Sequence, residues 1–198
     1  MNNTKSKTAK FVLAAILIAV VAVLQTVAAV FPLKVFGLSI SLVLIPIVIA
    51  GIYCGVWGGV IVGASFGIVV FIHCVTGLDP TGAFLFQLNP LYTFIATVGR
   101  AAIAGLVPAL VYKAVSTRLS GTAGAVISAV CAPVVNTLAF VLCLLTLFPD
   151  TLATWASDAG KSIITFIIVG MVGFNFLFEL ATTTLLTPAI SKAISKIR

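Results

Sequence analysis

Six long apolar stretches divide this chain, and they constrain its fold more than any other feature of the sequence. About 20 mostly apolar residues in a helix cross a hydrocarbon core that is about 30 Å thick. Helices are expected because backbone N–H and C=O groups inside lipid must find their partners within the segment. The predicted spans cover approximately residues 11–31, 39–53, 56–75, 91–115, 122–148 and 162–190. The sequence therefore predicts an all-α integral membrane protein, a compact six-transmembrane-helix bundle that forms a single transmembrane domain over residues 1–198.

The composition favours a membrane protein over a soluble or nucleic-acid-binding one. Hydrophobic residues make up 62% of the chain and charged residues 8%, which is more apolar surface than a soluble domain of this length can bury. The net charge is +7, but the cations lie beside the apolar stretches. The lipid bilayer with its anionic headgroups, and not nucleic acid, is therefore the predicted electrostatic partner.

The positions of the charges predict the orientation of the chain. Six spans place eight cations on one side of the membrane: Lys5, Lys7, Lys10, Lys113, Arg118, Lys192, Lys196 and Arg198. The other side receives Lys34, Lys161, Asp79, Asp150 and Asp158. Loops rich in Lys and Arg face the cytoplasm in membrane proteins. Both termini are therefore predicted to be cytoplasmic, with the protein in the cell membrane.

Two sets of small residues predict close contacts between helices. Every fourth residue on one face of the third span is a glycine: Gly55, Gly59, Gly63 and Gly67. Small residues at this spacing let helix backbones approach each other in lipid. Packing inside the bundle is the simpler interpretation, and a partner-binding face is the alternative. Ala15 and Ala19 form a similar pair in the first span, where the face would suit either purpose.

Polar side chains inside the spans are the candidate site residues. A charge at the bilayer centre costs about 2.5–3.5 kcal/mol, so it is usually paired or faces a cavity. The last three spans carry four such groups: Arg100, Asn136, Asn175 and Glu179. One interpretation is an Arg100–Glu179 ion pair with the asparagines bridging helices. The other is an outward-facing pocket in which Arg100 binds a ligand carboxylate through its planar fork of donors.

The segment between the third and fourth spans, residues 77–90, is predicted to be an outer loop. It mixes turn-forming residues with two phenylalanines and two carboxamides, Gln87 and Asn89. Aromatic and amide side chains together suit a lid over an organic ligand, because rings supply buried surface and amides supply orientation. Aromatic anchoring at the membrane interface is the alternative interpretation.

The sequence offers no metal site and no phosphate-binding loop. It lacks the GxxxxGK[ST] and HExxH patterns, and its four cysteines form no CxxC pair. Its one histidine, His73, is interpreted as an interfacial or packing residue. We therefore predict a binding or permeation subunit that is not an enzyme, with no catalytic residue, no metal and no cofactor, and that obtains its energy from elsewhere.

These landmarks, in this order, resemble one known family, the substrate-binding S components of energy-coupling factor (ECF) vitamin transporters. The resemblance covers nearly the whole chain. It rests on the six-span layout and on five short segments: residues 15–19, 46–67, 99–105, 135–137 and 175–179. The pattern from residue 45 to residue 100 looks most like the branch that is linked to pantothenate.

The resemblance implies a protein that binds a vitamin or related metabolite at the outer side of the membrane. Pantothenate would suit the polar groups already named, which makes these the candidate substrate-binding residues: Arg100, Asn136, Asn175, Glu179, Gln87 and Asn89. Ala15 and Ala19 would contact a membrane scaffold (T) subunit driven by two ATP-binding subunits. The alternatives are an S component for riboflavin or another vitamin, a stand-alone secondary transporter that uses Glu179, and a structural or assembly subunit.

Overall fold

The fold is described by a computed structural model that covers residues 2–30, 34–35, 38–39 and 42–197. Some predicted features lie outside these described residues. They are the end of the first span at Phe31 and Pro32, residues 40–41 of the second span, and the C-terminal cation Arg198.

Nearly all of the described chain is helical. The helices are α1 (Asn2–Val30), α2 (Leu44–Cys54), α3 (Val56–Thr76), α4 (Pro80–Leu88), α5 (Pro90–Phe94), α6 (Arg100–Val115), α7 (Gly121–Leu147), α8 (Pro149–Asp158), α9 (Ile163–Thr165) and α10 (Gly173–Ile197). Two π-helical segments link helices: Ile95–Gly99 joins α5 to α6, and Phe166–Val172 joins α9 to α10. A short antiparallel ladder pairs β1 (Lys34–Val35) with β2 (Leu38–Ser39). The predicted all-α class is confirmed, apart from this ladder.

The predicted count of six spans is not confirmed. Four described stretches are long and apolar enough to cross a membrane: Lys7–Val30, Val56–Thr76, Pro90–Val115 and Gly121–Leu147. The count rises to five if Pro149–Asp158 and Ile163–Gly170, which are bent by 87° to each other, are taken as one broken span. The predicted second span is α2, whose 11 residues are too few to cross the hydrocarbon core alone.

The predicted sixth span, residues 162–190, is not one continuous helix. Gly173 follows the second π-helical segment with a φ of 25°, a backbone conformation that residues with a Cβ rarely adopt. The helix is divided at this glycine for that reason. α10 therefore begins two residues before Asn175, so the polar residues of the last span belong to a separate helix.

Contacts between distant segments bring the first part of α1 and the last turns of α10 to the same end of the bundle. The Tyr53 hydroxyl, near the end of α2, donates to the Ser191 carbonyl oxygen of α10 at 2.6 Å. The Cys54 thiol donates to the Lys10 carbonyl oxygen of α1 at 3.4 Å. The beginning of α1, the α2–α3 junction and the last turns of α10 thus lie together. Their location on the cytoplasmic side stays a prediction.

Glycines bring α3 very close to α6. Three glycines of α3 lie against α6 or the π-helical segment before it: Gly59, Gly63 and Gly67. A Cβ built at Gly59 would lie 2.5 Å from the Gly105 carbonyl oxygen, whereas ordinary contact begins at 3.4 Å. These glycines therefore pack the bundle internally, as small residues do in lipid. Gly55 does not share this role, because it separates α2 from α3 with a φ of 85°.

α1 is the least buried of the four long apolar helices. It packs on α2 and α3 through one face, where Leu17 and Val21 are buried. Ala15 and Ala19 are exposed, and large apolar side chains such as that of Ile16 are exposed beside them. The small-residue pair of α1 is therefore not used for packing within the described part of the chain.

Candidate functional site

A cavity of about 280 Å³ lies among the helices, with residues of α1, α3, α4, α7, α10 and the Pro90–Val115 span in its walls. Its polar lining consists of Gln25, Asp79, Thr81, Thr93, Thr97, Arg100, Asn136, Thr137, Asn175 and Glu179. Apolar surface is supplied by residues that include Phe66, Val70, Leu85 and Phe140. A concave site with apolar walls and a few convergent polar groups is the usual form of a small-molecule binding site.

Four of the six residues that the sequence proposed for substrate binding line this cavity. They are Arg100, Asn136, Asn175 and Glu179. They meet because α7 packs against both α6 and α10, which brings three separate segments of the sequence to one place. Asn175 and Glu179 lie one turn apart on α10, so they share a helix face.

Arg100 is positioned beside an aromatic ring. It is the first residue of α6 and directly follows the π-helical segment Ile95–Gly99. Its Cζ atom lies 4.8 Å from the centroid of the Phe140 ring, and such an arrangement favours the cation by about 0.5–2 kcal/mol. The Arg100 Nε atom is buried and finds no hydrogen-bond partner among the described residues. A buried N–H of this kind is costly to leave unpaired, which suits it to donate to a ligand oxygen.

Arg100 and Glu179 do not form a direct ion pair. Glu179 is only 7% exposed and lines the same cavity. Across the described ranges, no carboxylate oxygen lies within 4.0 Å of an Arg100 nitrogen. The ion pair, one of the two interpretations that the sequence left open, is therefore not formed, and binding of a ligand carboxylate by Arg100 stays a prediction.

The two asparagines bring acceptor groups to the same place. Asn136 is 8% exposed, and neither its Oδ1 atom nor that of Asn175 has a partner in the part of the chain that the structure describes. Buried polar atoms are nearly always hydrogen-bonded in folded proteins, to protein, water or ligand. With the Glu179 carboxylate, these oxygens can accept hydrogen bonds from hydroxyl or amide groups of a bound molecule.

The segment predicted as an outer loop is largely helical, and this places Gln87 and Asn89 away from the cavity. Asp79 caps α4 because its carboxylate accepts from the Gly82 N–H at 3.1 Å, and Pro80 occupies the first turn. Asn89 caps α5 by accepting from the Tyr92 N–H at 3.1 Å. Its oxygen is thus engaged, and the Gln87 side chain is exposed. Neither residue lines the cavity.

Several lining residues were not proposed from the sequence. Thr93 and Thr97 precede Arg100 by seven and three positions, and Thr97 donates to the Thr93 carbonyl oxygen at 2.8 Å. These spacings place both residues on the same helix face as Arg100, one and two turns earlier, so the sequence could have identified them. Gln25 did give a signal, because it is a polar residue inside a predicted span. Asp79 gave none, because its approach to the cavity depends on how α4 packs.

A second, aromatic pocket of about 550 Å³ lies beside the first. Thr81 and Phe140 line both. Its other walls include Phe84 and Trp155, whose ring centroids are 6.0 Å apart. Phe140 therefore stands between a polar cavity that contains Arg100 and an aromatic pocket formed with α4 and α8.

Groups that suggest other chemistry prove to be structural where they are described. His73 is buried, and its Nε2 atom lies 3.4 Å from the Thr26 hydroxyl, so it packs α3 against α1. Residues 63–67 spell the hydrolase pattern GxSxG, but Ser65 lies in the middle of α3 and donates to the Ile61 carbonyl oxygen at 2.8 Å. That pattern needs a turn between a strand and a helix. Within the described ranges, no group of three or more His, Cys, Asp or Glu residues could hold a metal ion.

Comparison with known proteins connects this chain with transport. Residues 9–191 match the family described as "ECF transporter, substrate-specific component". The chain is 28% identical over 208 residues to the pantothenic acid transporter PanT of Lactococcus lactis subsp. cremoris (strain MG1363), which covers 98% of this chain and 97% of that protein. No solved structure matches the chain significantly. Because the family match spans nearly the whole sequence, this multi-pass membrane protein belongs to the substrate-specific (S) components of ECF transporters.

Proposed function

We propose that this S component binds pantothenate in the 280 Å³ cavity and delivers it inward as part of an ECF importer. The proposal rests on the polar groups of this cavity: its guanidinium has no carboxylate partner among the described residues, and two of its amide oxygens have no donor among them. A ligand that has one carboxylate together with hydroxyl and amide groups satisfies both sets. Pantothenate is such a molecule, and a relative that is 28% identical is named a pantothenic acid transporter.

The chemistry of pantothenate suggests how it would lie. Its carboxylate would accept paired hydrogen bonds from Arg100, the geometry for which a planar guanidinium is suited. Its hydroxyl groups would donate to oxygens of Asn136, Asn175 or Glu179. Its dimethyl carbon would pack on the apolar wall near Phe66, where burial of methyl groups stabilises the complex by about 0.8 kcal/mol per buried carbon group.

The size of the cavity also supports a compact ligand. Small-molecule sites commonly have volumes of about 300–1,000 Å³, so a cavity of about 280 Å³ lies near the lower end. This favours pantothenate over a larger tricyclic vitamin such as riboflavin. An S component for riboflavin or another vitamin is the alternative that a ligand titration would reveal.

The whole chain, 1–198, would act as one transmembrane domain in the cell membrane, with both termini in the cytoplasm. Its partners would be a membrane scaffold (T) subunit and two ATP-binding subunits that supply the energy. The exposed face of α1 supports this proposal, because Ala15 and Ala19 offer a small-residue surface that another helix can approach closely.

The first experiment is identification of the ligand. The protein is purified gently, its retained small molecules are analysed by mass spectrometry, and the emptied protein is titrated with pantothenate, riboflavin, thiamine and biotin. Retention of pantothenate and its tightest binding in this panel are expected. Tighter binding of another vitamin would replace pantothenate as the substrate, and no binding of any would contradict the assignment of the cavity.

A second experiment separates an S component from a stand-alone transporter that uses Glu179. The protein is reconstituted alone into liposomes with an imposed proton gradient, and in parallel with the scaffold and ATP-binding subunits. Accumulation of pantothenate is expected only with the complete complex and ATP. Uptake driven by the proton gradient alone, and lost in Glu179→Gln, would support the secondary transporter instead.

A further inference from the structure

The wall of the cavity carries more acidic than basic groups. Arg100 is the single cation among its described lining residues, whereas Asp79 and Glu179 both bring a carboxylate to it. The charge of Arg100 acts on both carboxylates, and more strongly on that of Glu179. With both acids ionised, the described wall therefore has a net charge of −1 before any ligand binds.

Glu179 is the less well compensated of the two acids. It is 7% exposed, and among the described residues no cationic nitrogen lies within 4.0 Å of its carboxylate and no group donates a hydrogen bond to it. Asp79 is half-buried and accepts from the Gly82 N–H at 3.1 Å. A carboxylate stays ionised in the interior only where cations or donors replace its lost hydration. Ionised Glu179 thus depends on water in the cavity, whose volume of about 280 Å³ has room for it.

The neighbours of Glu179 in the cavity wall include acceptors that lack donors. Asn175 lies one turn earlier on the same face of α10, and Asn136 lies on α7, which packs against α10. The Oδ1 atoms of both are buried and receive no hydrogen bond from the residues described. An ionised carboxylate cannot donate to them, whereas a protonated one has an O–H group. Protonation of Glu179 would therefore supply a donor where the wall lacks one.

A ligand that carries a carboxylate changes these charges, and this step rests on the proposed function. Pantothenate would place its carboxylate on Arg100 and displace water from the cavity. Glu179 would then lose its hydration and much of the effect of the Arg100 charge. With all three carboxylates ionised, the occupied cavity would have a net charge of −2. Burial and a nearby like charge both favour the protonated form of a carboxyl group.

We propose that Glu179 takes up one proton when a carboxylate ligand binds, so that ligand and proton occupy the cavity together. The proton adds to one oxygen of the Glu179 carboxylate, and no bond of the ligand is formed or broken. The neutral carboxyl group then donates to an amide oxygen of Asn136 or Asn175. A lower pH on the outer side tightens binding, and a higher pH on the inner side favours release.

The other titratable groups around Glu179 belong to the cavity wall and to the elements that pack on α10. Those elements are α7, α2, β2 and the π-helical segment Phe166–Val172, and the last two contain no titratable side chain. The groups carried by the cavity wall, α7, α2 and the rest of α10 are Cys74, Asp79, Arg100, Cys131, Cys143, Tyr53, Cys54, Lys192 and Lys196. Thiol and phenol groups ordinarily stay protonated up to about pH 8, and ammonium and guanidinium groups stay charged. Asp79 is therefore the competing proton acceptor that an experiment must separate from Glu179.

The first test counts protons during binding. Pantothenate is titrated into the purified protein by calorimetry at pH 6, 7 and 8, and at pH 8 in two buffers of different ionisation enthalpy. Uptake of one proton changes affinity by up to tenfold per pH unit, so the dissociation constant should rise by about 10- to 100-fold from pH 6 to pH 8. The ligand carboxyl stays ionised over this range. The two buffers should report close to one proton taken up per ligand.

The outcomes of this test separate the two proposals. Binding of pantothenate without proton uptake at any of the three pH values would overturn the role of Glu179 and leave the proposed function standing. Absence of pantothenate binding at all three would refute the proposed function, and the proton uptake with it.

Two variants assign the proton to a residue. Glu179→Gln keeps the shape of the side chain and is always neutral, so its dissociation constant should change by less than about 2-fold between pH 6 and pH 8. Asp79→Asn is the matched control, since asparagine also caps helices, and it should keep most of the pH dependence. His73 titrates in this range but does not line the cavity, and both variants retain it. Full pH dependence in Glu179→Gln, or its loss in Asp79→Asn, would overturn the assignment.

Infrared difference spectroscopy keeps the test decisive if Glu179→Gln does not fold. Addition of pantothenate to the unchanged protein at pH 8 should produce the C=O stretching band of a protonated carboxylic acid, and Asp79→Asn should retain this band. Binding without such a band would overturn the proposal, and so would a band that disappears in folded Asp79→Asn.

Discussion

The contact between α3 and α6 allows one substitution to be worked out quantitatively. Gly59→Ala would place a Cβ atom 2.5 Å from the Gly105 carbonyl oxygen, which is short of the 3.4 Å limit of ordinary contact by about 0.9 Å. The atom it meets belongs to the backbone, so no side chain can rotate away. The helices must therefore move apart, or one of them must bend.

The cost follows from that displacement. A gap of about 0.5–1 Å forfeits a quarter to a half of the dispersion energy of each contact, and overpacking typically costs about 1–3 kcal/mol. The substitution also stabilises the folded state by about 0.5–1 kcal/mol, because alanine restricts the unfolded chain more than glycine does. We expect a net loss of about 1–2 kcal/mol, which lowers the melting temperature by about 2–8 °C for a chain of this size.

The assay is thermal unfolding of the ligand-free protein in one detergent. Gly121→Ala is the matched control, because a Cβ there would lie 3.7 Å from the Tyr112 hydroxyl oxygen, which is ordinary contact. It should melt at or slightly above the temperature of the unchanged protein. If Gly59→Ala melts no lower than Gly121→Ala, the close contact between α3 and α6 does not stabilise the folded protein, and the reasoning is refuted.

Three further predictions concern ligand binding and coupling. Arg100→Ala should weaken pantothenate binding by about 100-fold or more, since two charge-assisted hydrogen bonds are lost; titration beside the exposed control Arg118→Ala checks this, and an unchanged dissociation constant would assign Arg100 to structure. Phe140→Leu should weaken binding by about 2- to 30-fold, because the ring whose centroid lies 4.8 Å from the Arg100 Cζ atom is removed; an unchanged dissociation constant would show that the ring does not hold the guanidinium. Ala15→Trp or Ala19→Trp should abolish uptake by the reconstituted complex while leaving the dissociation constant of the ligand unchanged, because both positions are exposed. Loss of ligand binding in a folded variant would contradict a role for these residues in coupling alone.

The sequence predicted best those features that depend on spacing along one helix. The four-residue glycine repeat of α3 indicated close packing, and Gly59, Gly63 and Gly67 do lie against the neighbouring span. Arg100 and Glu179 were singled out because charge is costly in lipid, and both line the cavity. The sequence could not show that Arg100 and Glu179 lie too far apart for an ion pair, because the distance between them depends on how α6 and α10 pack against α7.

The differences between the structure and the sequence-based expectations have local physical causes. Residues 77–90 were interpreted as a loop because of their turn-forming residues, yet Asp79 followed by Pro80 is a helix start, and α4 forms there. Gln87 and Asn89 were proposed for the site on that basis. The single last span was predicted from its apolar length alone, and nothing in that length reveals the positive φ of Gly173. Gln25 reaches the cavity only through tertiary packing of α1.

The π-helical segment Ile95–Gly99 has a consequence for how such a protein can change in length over evolution. A π-helical turn holds about one residue more than an α-helical turn, so deleting one residue there would leave an ordinary α-helical turn. The part of the span that carries the glycine contact with α3 and the part before the segment would both keep their register. A one-residue deletion could thus be absorbed at this segment, and the cavity wall and the helix packing beside it would be inherited together.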